Sequence, residues 1–228
     1  MKTVITNAII LKRLNFGEAD RILTILTPEQ GKVSVIAKSV RRQKSRLAGG
    51  LELFSVTSIS YIDSQSELKT VVSTKLVSYY ENIVKDINAT MLAYDFLKRV
   101  DEITEQAAEP VFFGLLQNSL AALNDQLEQL DLLRAWFYAA LLQLGGHGLN
   151  LDTQVSGAAF SEDELYRFDF ETMAFFAHDA GTFSPKHIKL LRLFTKTSTP
   201  TNLLHVGDAK ILAASLHPLL DQCLKLSR

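Results

Sequence analysis

The chain of 228 residues is 47% hydrophobic and 21% charged, which excludes wholesale disorder and allows one large domain or two smaller ones. Its formal net charge of −1 hides an asymmetry, because residues 1–46 carry ten Lys and Arg against three acids, while the remainder carries 14 against 22. We therefore expect the first part to meet phosphate and the acidic second part to have another role.

Cysteine content and hydropathy indicate the compartment. The single cysteine, Cys223, excludes an internal disulfide and a four-thiolate zinc site within one chain. It lies on an apolar stripe, so we interpret it as a small core residue. The N-terminal segment alternates like a strand and lacks a signal-peptide cleavage site, and no run approaches the roughly 18 apolar residues of a membrane span. These features favour a soluble protein of the reducing cytoplasm.

Residues 1–77 show the period-two alternation of β-strands. Five short strands are predicted, at residues 3–11, 22–27, 32–38, 54–62 and 68–76. The connection between the third and fourth strands is long. Five short strands with one long connection are typical of a small closed barrel, because an open sheet would leave unprotected edges.

From about Tyr79 the hydrophobic period changes to 3.6, which predicts helices. The first helix has an apolar stripe opposite a polar face formed by Lys98, Arg99, Asp101 and Glu102. Three further helix starts are predicted, at Glu109-Pro110, Asp131 and Ser184-Pro185.

The rest of the C-terminal part departs from regular helical patterns at two places. Residues 149–182 fit neither period, and their scattered phenylalanines predict an irregular subdomain or a short hairpin. The last helix is predicted to be capped by Asp208, with a stripe that begins at Ile211. Pro218 lies inside that stripe, so we expect a kink or a break there.

A cationic loop, residues 38–50, follows the third strand. Five cations lie within nine residues, with no acid until Glu52, and they are Lys38, Arg41, Arg42, Lys44 and Arg46. Each cation that neutralises a phosphate releases counterions, so this cluster favours sequence-independent binding to nucleic acid. Lys32, Arg21 and Arg13 are outlying candidates for the same surface. The alternative is a charged loop that contacts only water.

Aromatic side chains near this loop could stack on bases, as they do in proteins that bind single strands. The candidates are Phe16, Phe54, Tyr61 and Tyr79. Core packing is the more common fate of a phenylalanine in a small barrel, so we favour only Phe16, which lies beside the predicted turn at Gly17.

No motif in the chain indicates turnover chemistry. His147, Asp152, His178 and Asp179 could be imagined as ligands of a hydrolytic metal, but their spacing lacks the HExxH pattern. A nucleophile elbow and a phosphate-binding P-loop are also missing from the sequence. We predict that the protein is not an enzyme. An RNA-binding accessory factor and, less favoured, a metal-dependent hydrolase are the alternatives.

Residues 17–55 contain five groups of short motifs in succession. They are Gly17-Glu18-Ala19-Asp20-Arg21, Gly31-Lys32, Ala37-Lys38 with Arg41-Arg42, Ser45-Arg46, and Leu51-Glu52 with Phe54-Ser55. This conjunction resembles the bacterial RecO family of recombination mediators. A helical remainder with an irregular insert after a Gly-rich helix end extends the resemblance over the whole chain in outline. Ser39 and Leu53 depart from the glycine and proline expected at those positions.

The resemblance implies an α+β protein. A five-stranded OB-fold barrel at about residues 1–78 would bind single- and double-stranded DNA, and an all-α domain at 79–228 would carry an irregular insert at about 147–182. The implied function is to anneal strands and to load RecA recombinase onto DNA coated with single-stranded DNA-binding protein, without catalysis. The implied partners are RecR and the acidic tail of single-stranded DNA-binding protein, at the nucleoid in the cytoplasm.

An acidic tail that ends in an apolar residue needs a hydrophobic groove beside a cation. Two sets of residues could supply one: Arg134 with Trp136 and Phe137, or Lys186, Lys189 and Arg192. The plain alternative for each is an amphipathic helix whose charges contact water.

The resemblance also raises the question of a metal. Many members of the family carry two CxxC pairs in the insert, which bind zinc. Here Gln154 and Gly157 stand where the first pair of cysteines would be, and residues 145–182 contain no cysteine. We therefore predict no zinc and no other cofactor, and we expect burial of phenylalanine to order the insert.

Overall fold

A computed structural model describes residues 2–104 and 110–227. The chain divides into two compact units, Met1–Leu127 and Glu128–Arg228. The first unit contains a β-barrel followed by helices, and the second contains helices and a short hairpin. The predicted α+β class is confirmed. Among the helices in these ranges, none combines the length and hydrophobicity that crossing a bilayer requires.

Five strands of the first unit form a closed barrel. They are β1 (Lys2–Phe16), β2 (Asp20–Thr27), β3 (Gly31–Ala37), β4 (Ser55–Asp63) and β5 (Lys69–Tyr79). Their order around the barrel is β1-β2-β3-β5-β4, and β4 pairs with β1 to close it. The junction between β3 and β5 is parallel, and the other pairs are antiparallel. This arrangement confirms the predicted OB-fold barrel.

Strand β1 continues past its predicted end at Leu11. Its pairing with β2 passes a register shift after Ile10 and ends with Phe16 opposite Asp20. The five residues of this extension are all exposed, so the sequence lacks the alternation that marks a half-buried strand. The extension carries Phe16 and the following turn beyond the buried part of β1.

Alternate residues of the strands fill the interior of the barrel. Ile10, Leu23 and Ile59 belong to this buried cluster together with Tyr61. The Tyr61 hydroxyl donates a hydrogen bond to Gln30 Oε1 at 2.6 Å. Burial raises the pKa of Tyr61, so the phenol stays protonated and remains a donor.

Two helices, α1 (Ile87–Ile103) and α2 (Val111–Asp125), belong to the same compact unit as the barrel. The Asp86 carboxylate caps α1 by accepting a hydrogen bond from Ala89 N at 2.8 Å. The apolar stripe predicted for α1 is buried between Leu92 and Val100. Glu109, in the predicted start of α2, lies outside the described residues.

Asp101 corrects the prediction of a wholly polar outer face on α1. Its side chain is buried, and its carboxylate forms ion pairs with Lys12 of β1 and with Lys32 of β3, the latter at 3.3 Å. Lys32 Nζ also donates to the Asp101 carbonyl at 2.9 Å. Two cations from the barrel thus replace water around this carboxylate and join the end of α1 to two strands.

The second unit contains the helices α3 (Leu130–Leu144), α4 (Pro185–Lys196) and α5 (Ala209–Leu226). The indole N–H of the buried Trp136 donates to the Thr197 carbonyl at 3.0 Å. Helix α4 starts where predicted, with a capping box between Ser184 and His187. His187 Nε2 lies 2.8 Å from Ser215 Oγ on α5, and burial lowers the pKa of His187, so the neutral imidazole joins the two helices.

Several details of these helices differ from the prediction. Asp131 lies inside the first turn of α3 and is not its cap, because the helix starts one residue earlier. Asp208 stands before α5, but its carboxylate pairs with Lys186 at 2.9 Å and makes no cap bond. Helix α5 runs unbroken through Pro218, with buried residues on both sides of it, so the predicted break is absent from this helix. Ile211 is 76% exposed and does not belong to the buried stripe.

Candidate nucleic-acid interface

The cationic loop is anchored to the barrel near both of its ends. Val40 and Leu51 are buried within the barrel core, and Leu47 and Ala48 pack against it. The segment between these anchors, residues 41–46, is exposed except for a half-buried Ser45. The anchors hold both ends of this segment on the barrel, which reduces the ordering that binding a ligand would require.

Gly50 fixes the second half of the loop against the barrel. Its carbonyl accepts a hydrogen bond from Thr57 Oγ1 of β4 at 2.6 Å, and the Leu47 carbonyl accepts one from Thr74 Oγ1 of β5 at 3.1 Å. A Cβ atom on Gly50 would lie 2.5 Å from Thr74 Oγ1. Glycine is therefore required here, because no other residue allows the backbone to approach β5 so closely.

The turn between β1 and β2 holds the first half of the loop. Ser39 N donates to the Asp20 carboxylate at 2.7 Å, and Arg41 N donates to the Ala19 carbonyl at 2.9 Å. Arg41 Nη1 donates to the Gly17 carbonyl at 3.4 Å. Ser39 has a φ of +55°, in the left-handed region that favours glycine, which explains the glycine expected at this position.

Four cations of the loop project into solvent without a countercharge. Their side chains are exposed and form no ion pair or side-chain hydrogen bond with any described residue, and they are Lys38, Arg42, Lys44 and Arg46. Arg41 is also exposed, and its guanidinium bonds a neutral carbonyl. Like charges this close in sequence repel each other, and an anionic chain would relieve that repulsion.

Each of the three outlying cations contacts a polar or acidic side chain of the same chain. Lys32 pairs with Asp101 at 3.3 Å, Arg13 pairs with Glu52 at 3.4 Å, and Arg21 Nε donates to Asn15 Oδ1 at 3.2 Å. The structure thus brings five of the eight predicted residues together on one loop. Lys32 is held by a buried carboxylate, whereas the pair of Arg13 is exposed and therefore weak.

The aromatic candidates separate into buried and exposed residues. Phe54 is buried and meets the Tyr94 ring edge-on, with centroids 5.0 Å apart. Tyr61 lies in the barrel core. Phe16 is 51% exposed, and Tyr79 is also exposed. Only the last two could therefore contact a base without rearrangement of the barrel.

Two family models match the chain and together cover nearly all of it. The model described as "Recombination protein O N terminal" matches residues 1–80, and the model described as "Recombination protein O C terminal" matches residues 84–225. The chain belongs to the RecO family. The resemblance carried by residues 17–55 is thereby confirmed.

Curated RecO proteins of several bacteria are similar to the chain. A protein named "DNA repair protein RecO" from Dehalococcoides mccartyi is 34% identical over 143 residues, which cover 62% of this chain and 56% of that protein. Its namesake from Desulfatibacillum aliphaticivorans is 32% identical over 72% of this chain and 64% of the relative. A third, from Alkaliphilus metalliredigens, is 26% identical over 96% of this chain and 88% of the relative. The chain thus matches between half and two thirds of the length of the first two relatives.

The insert of this RecO chain does not fit a zinc ion. Gln154 is buried, and its Nε2 donates to the Ala159 carbonyl at 3.0 Å and to Glu164 Oε2 at 3.3 Å. Its Oε1 accepts a hydrogen bond at 3.1 Å from Ala177 N, and Ala177 pairs with Tyr166 in the hairpin of the insert. Where the resemblance to the family places the first cysteine, this chain therefore has a neutral amide whose bonds are satisfied by protein groups. The sequence analysis did not predict that Gln154 is buried and bonds three parts of the insert, because a single buried glutamine produces no periodic pattern.

Aromatic rings pack the rest of the insert around its hairpin, β6 (Tyr166–Asp169) and β7 (Ala174–Ala177). Phe175 is buried and meets Phe160, Phe168 and Phe183 edge-on, with centroids 6.4, 4.8 and 5.5 Å away. The buried Tyr166 hydroxyl donates to the Ser161 carbonyl at 3.0 Å. The predicted role of phenylalanine burial agrees with this packing, whereas the sequence did not identify the tyrosine.

The residues that suggested a hydrolytic metal do not share one pocket, because His147 and Asp152 are not among the residues that line the pocket of His178 and Asp179. His178 and Asp179 line a pocket of about 520 Å³ together with Asp163 and Glu164. The described part of the chain contains no group of three His, Cys, Asp or Glu residues placed to hold a metal ion. These residues therefore do not form the constellation that a metal-dependent hydrolase needs.

A groove on the second unit has the composition expected for an acidic tail with an apolar end. This α4–α5 groove has a volume of about 350 Å³ and is lined by Lys186, Lys189, Leu190, Leu193, Val206, Gly207, Asp208 and Leu212. Both lysines make exposed ion pairs, Lys186 with Asp208 and Lys189 with Glu162. The other candidates are used internally, because Arg192 Nε donates to the Leu151 carbonyl at 2.8 Å and Arg134 lies 3.3 Å from His217 Nε2.

Proposed function

We propose that this RecO-family chain is a DNA repair protein that binds single- and double-stranded DNA through the cationic loop. The observation that carries the proposal is the set of exposed, uncompensated cations among the described residues, on a backbone anchored at Val40 and Leu51. Each neutralised phosphate releases counterions, which supplies affinity for any sequence. The names of the curated relatives support the same role.

We infer that the outcome of binding is strand annealing without turnover chemistry. Complementary strands repel each other because both carry phosphate charge. A loop that neutralises phosphates lowers this repulsion and leaves the base edges free to pair, since contacts to phosphate carry no sequence information. On this proposal the protein works at the nucleoid with RecR and helps to load RecA onto strands coated with single-stranded DNA-binding protein.

The α4–α5 groove is our proposed docking site for the acidic tail of single-stranded DNA-binding protein. Leu190, Leu193 and Val206 give the groove an apolar floor, and Lys186 and Lys189 supply charge beside it. Their present ion pairs lie in water, where such pairs contribute little, so carboxylates of a tail could exchange with them at small cost.

Annealing of complementary oligonucleotides, without any nucleotide cofactor, tests this function. We expect the protein to anneal both bare strands and strands precoated with single-stranded DNA-binding protein. A variant with Arg41, Arg42 and Lys44 replaced by alanine should lose both activities. Leu193→Asp, which places a charge in the α4–α5 groove, should lose annealing of coated strands and keep annealing of bare strands.

The matched control for the groove is Ile211→Asp, because Ile211 is an exposed apolar residue that does not line the groove. It should anneal coated strands as the parent protein does. Failure of the parent protein to anneal bare strands would contradict the proposed function. Equal performance of Leu193→Asp and Ile211→Asp on coated strands would contradict only the docking site.

We also propose that the insert folds without zinc, held by the Gln154 hydrogen bonds and by aromatic packing. Gln154→Ala should destabilise the second unit by about 1–3 kcal/mol, because it leaves buried polar partners such as Ala177 N without a bond. Trp136 is the single tryptophan of the chain and lies in that unit, so its fluorescence in a urea titration reports the change.

The control for this variant is Gln222→Ala, which removes an exposed glutamine from α5 and should change stability by less than about 0.5 kcal/mol. A chelator should leave the urea midpoint of the parent protein unchanged. Stoichiometric zinc in purified protein, or a midpoint that falls on chelation, would overturn the proposal of a metal-free insert.

A further inference from the structure

Phe16 is a large aromatic residue placed in solvent at the edge of the cationic loop. It is the last residue of β1 and is 51% exposed, and Leu14, two residues earlier on the same face, is 65% exposed. Phe16 does not belong to the buried cluster of the barrel. An exposed aromatic ring and neighbouring cations together suit a ligand that has both a flat apolar face and a negative charge.

Hydrogen bonds fix Phe16 relative to the loop. Phe16 pairs across the hairpin with Asp20, whose carboxylate accepts the bond from Ser39 N at 2.7 Å. The next residue, Gly17, has a φ of +55° and accepts a bond from Arg41 Nη1 at 3.4 Å. The guanidinium of Arg41 thus bonds the carbonyl of the residue that follows Phe16, so the backbone at Phe16 is joined directly to the cationic loop.

A single-stranded nucleic acid has the two chemical features that this surface matches. Its phosphates suit the cations, and its unpaired bases expose π-faces that stack on aromatic rings. In OB-folds the outer face of β2 and β3 and the loop between β1 and β2 are the usual places for an oligonucleotide. Phe54 and Tyr61 are buried, which leaves Phe16 as the aromatic residue that described bonds tie to the cationic loop.

We propose that Phe16 stacks on an unpaired base of single-stranded DNA while Arg41 and its neighbours hold the adjacent phosphates. This inference rests on the proposed function and adds to it a structural origin for strand preference. Bases in a duplex already stack on each other, so Phe16 contributes to binding of the single strand and not to binding of the duplex. The cationic loop serves both.

The test compares Phe16→Ala with the parent protein on a labelled single strand and on its duplex with the complement. We expect the affinity for the single strand to fall about 5- to 150-fold, the range that loss of one stacked base gives. The affinity for the duplex and the salt dependence of both should stay unchanged, because no phosphate contact is removed. Leu14→Ala, which removes an exposed apolar side chain from the same face, is the control that should bind both ligands normally.

A gain-of-signal variant gives a second measurement. Phe16→Trp keeps a stacking ring, so it should restore single-strand affinity, and its indole emission should be quenched by the single strand against the constant emission of the buried Trp136. Equal losses on single strand and duplex in Phe16→Ala, or no loss on either, would overturn the stacking proposal. If Phe16→Ala gives either of these results while the variant with Arg41, Arg42 and Lys44 replaced by alanine loses DNA binding, the proposed function stands and only stacking by Phe16 is rejected. If the cationic-loop variant binds both ligands normally, the proposed function itself fails.

Discussion

Replacing Arg41, Arg42 and Lys44 by alanine should weaken DNA binding and flatten its dependence on salt by about 2–3 units in the slope of log affinity against log salt. Each lost phosphate contact removes roughly 0.9 of slope on duplex DNA and about 0.7 on a single strand, and the three residues lie on one exposed segment of the cationic loop. Fluorescence anisotropy of labelled oligonucleotides across a salt series measures the slope directly. A slope equal to that of the parent protein would rule out this loop as the phosphate contact.

The control for this variant removes the same charge from another place. Lys85, Lys98 and Lys210 are exposed, and the first two already pair with glutamates four residues away in sequence. Replacing these three by alanine should leave the slope nearly unchanged.

Competition with an RNA strand of matched sequence distinguishes a DNA-binding protein from an RNA-binding accessory factor. A DNA repair protein should release its bound DNA less readily to competing RNA than to competing DNA.

Asp101→Asn should destabilise the first unit by about 1–3 kcal/mol. The substitution keeps the volume of the side chain but removes the charge that Lys12 and Lys32 share, leaving Lys32 partly buried without its counterion. The cost falls below that of a fully buried pair because Lys12 is largely in water. Hydrogen exchange should show faster opening of β1, β3 and the end of α1, and urea unfolding should give the free energy.

Glu102→Ala is the matched control for Asp101, because Glu102 is the neighbouring acid on α1 and is partly exposed, 3.9 Å from an exposed Lys98. It should change the free energy of unfolding by less than about 0.5 kcal/mol. Equal stabilities of the two variants would show that the buried ion pairs of Asp101 contribute nothing specific.

The barrel could be predicted from the sequence because its signals are local. Alternation marks the half-buried strands, and the long gap between the third and fourth strands marks the connection that carries the cations. The end of β1 was missed for the opposite reason, since a strand exposed on both faces leaves no alternation. The anchors of the loop at Val40 and Leu51 were also missed, because burial there depends on strands distant in sequence.

Helical periodicity predicted the burial of two residues, Asp101 and Ile211, wrongly. Asp101 was assigned to solvent because a charge on a helix usually faces water, and its lysine partners lie 69 or more residues earlier in the chain. Ile211 was assigned to the core because it is apolar, but the small residues Ala209 and Ala213 are buried in its stead. Pattern rules rank side chains by hydrophobicity, whereas close packing of helices also selects for small size.

The absence of cysteine from the insert has a consequence for its sensitivity to oxidation. Damage to DNA often accompanies oxidants, which attack thiolates first. Residues 145–182 contain no cysteine, and burial raises the pKa of Cys223 to about 12, so this thiol stays protonated and inert. The hydrogen bonds of Gln154 and the packed aromatic rings of the insert contain no thiolate that such oxidants could remove.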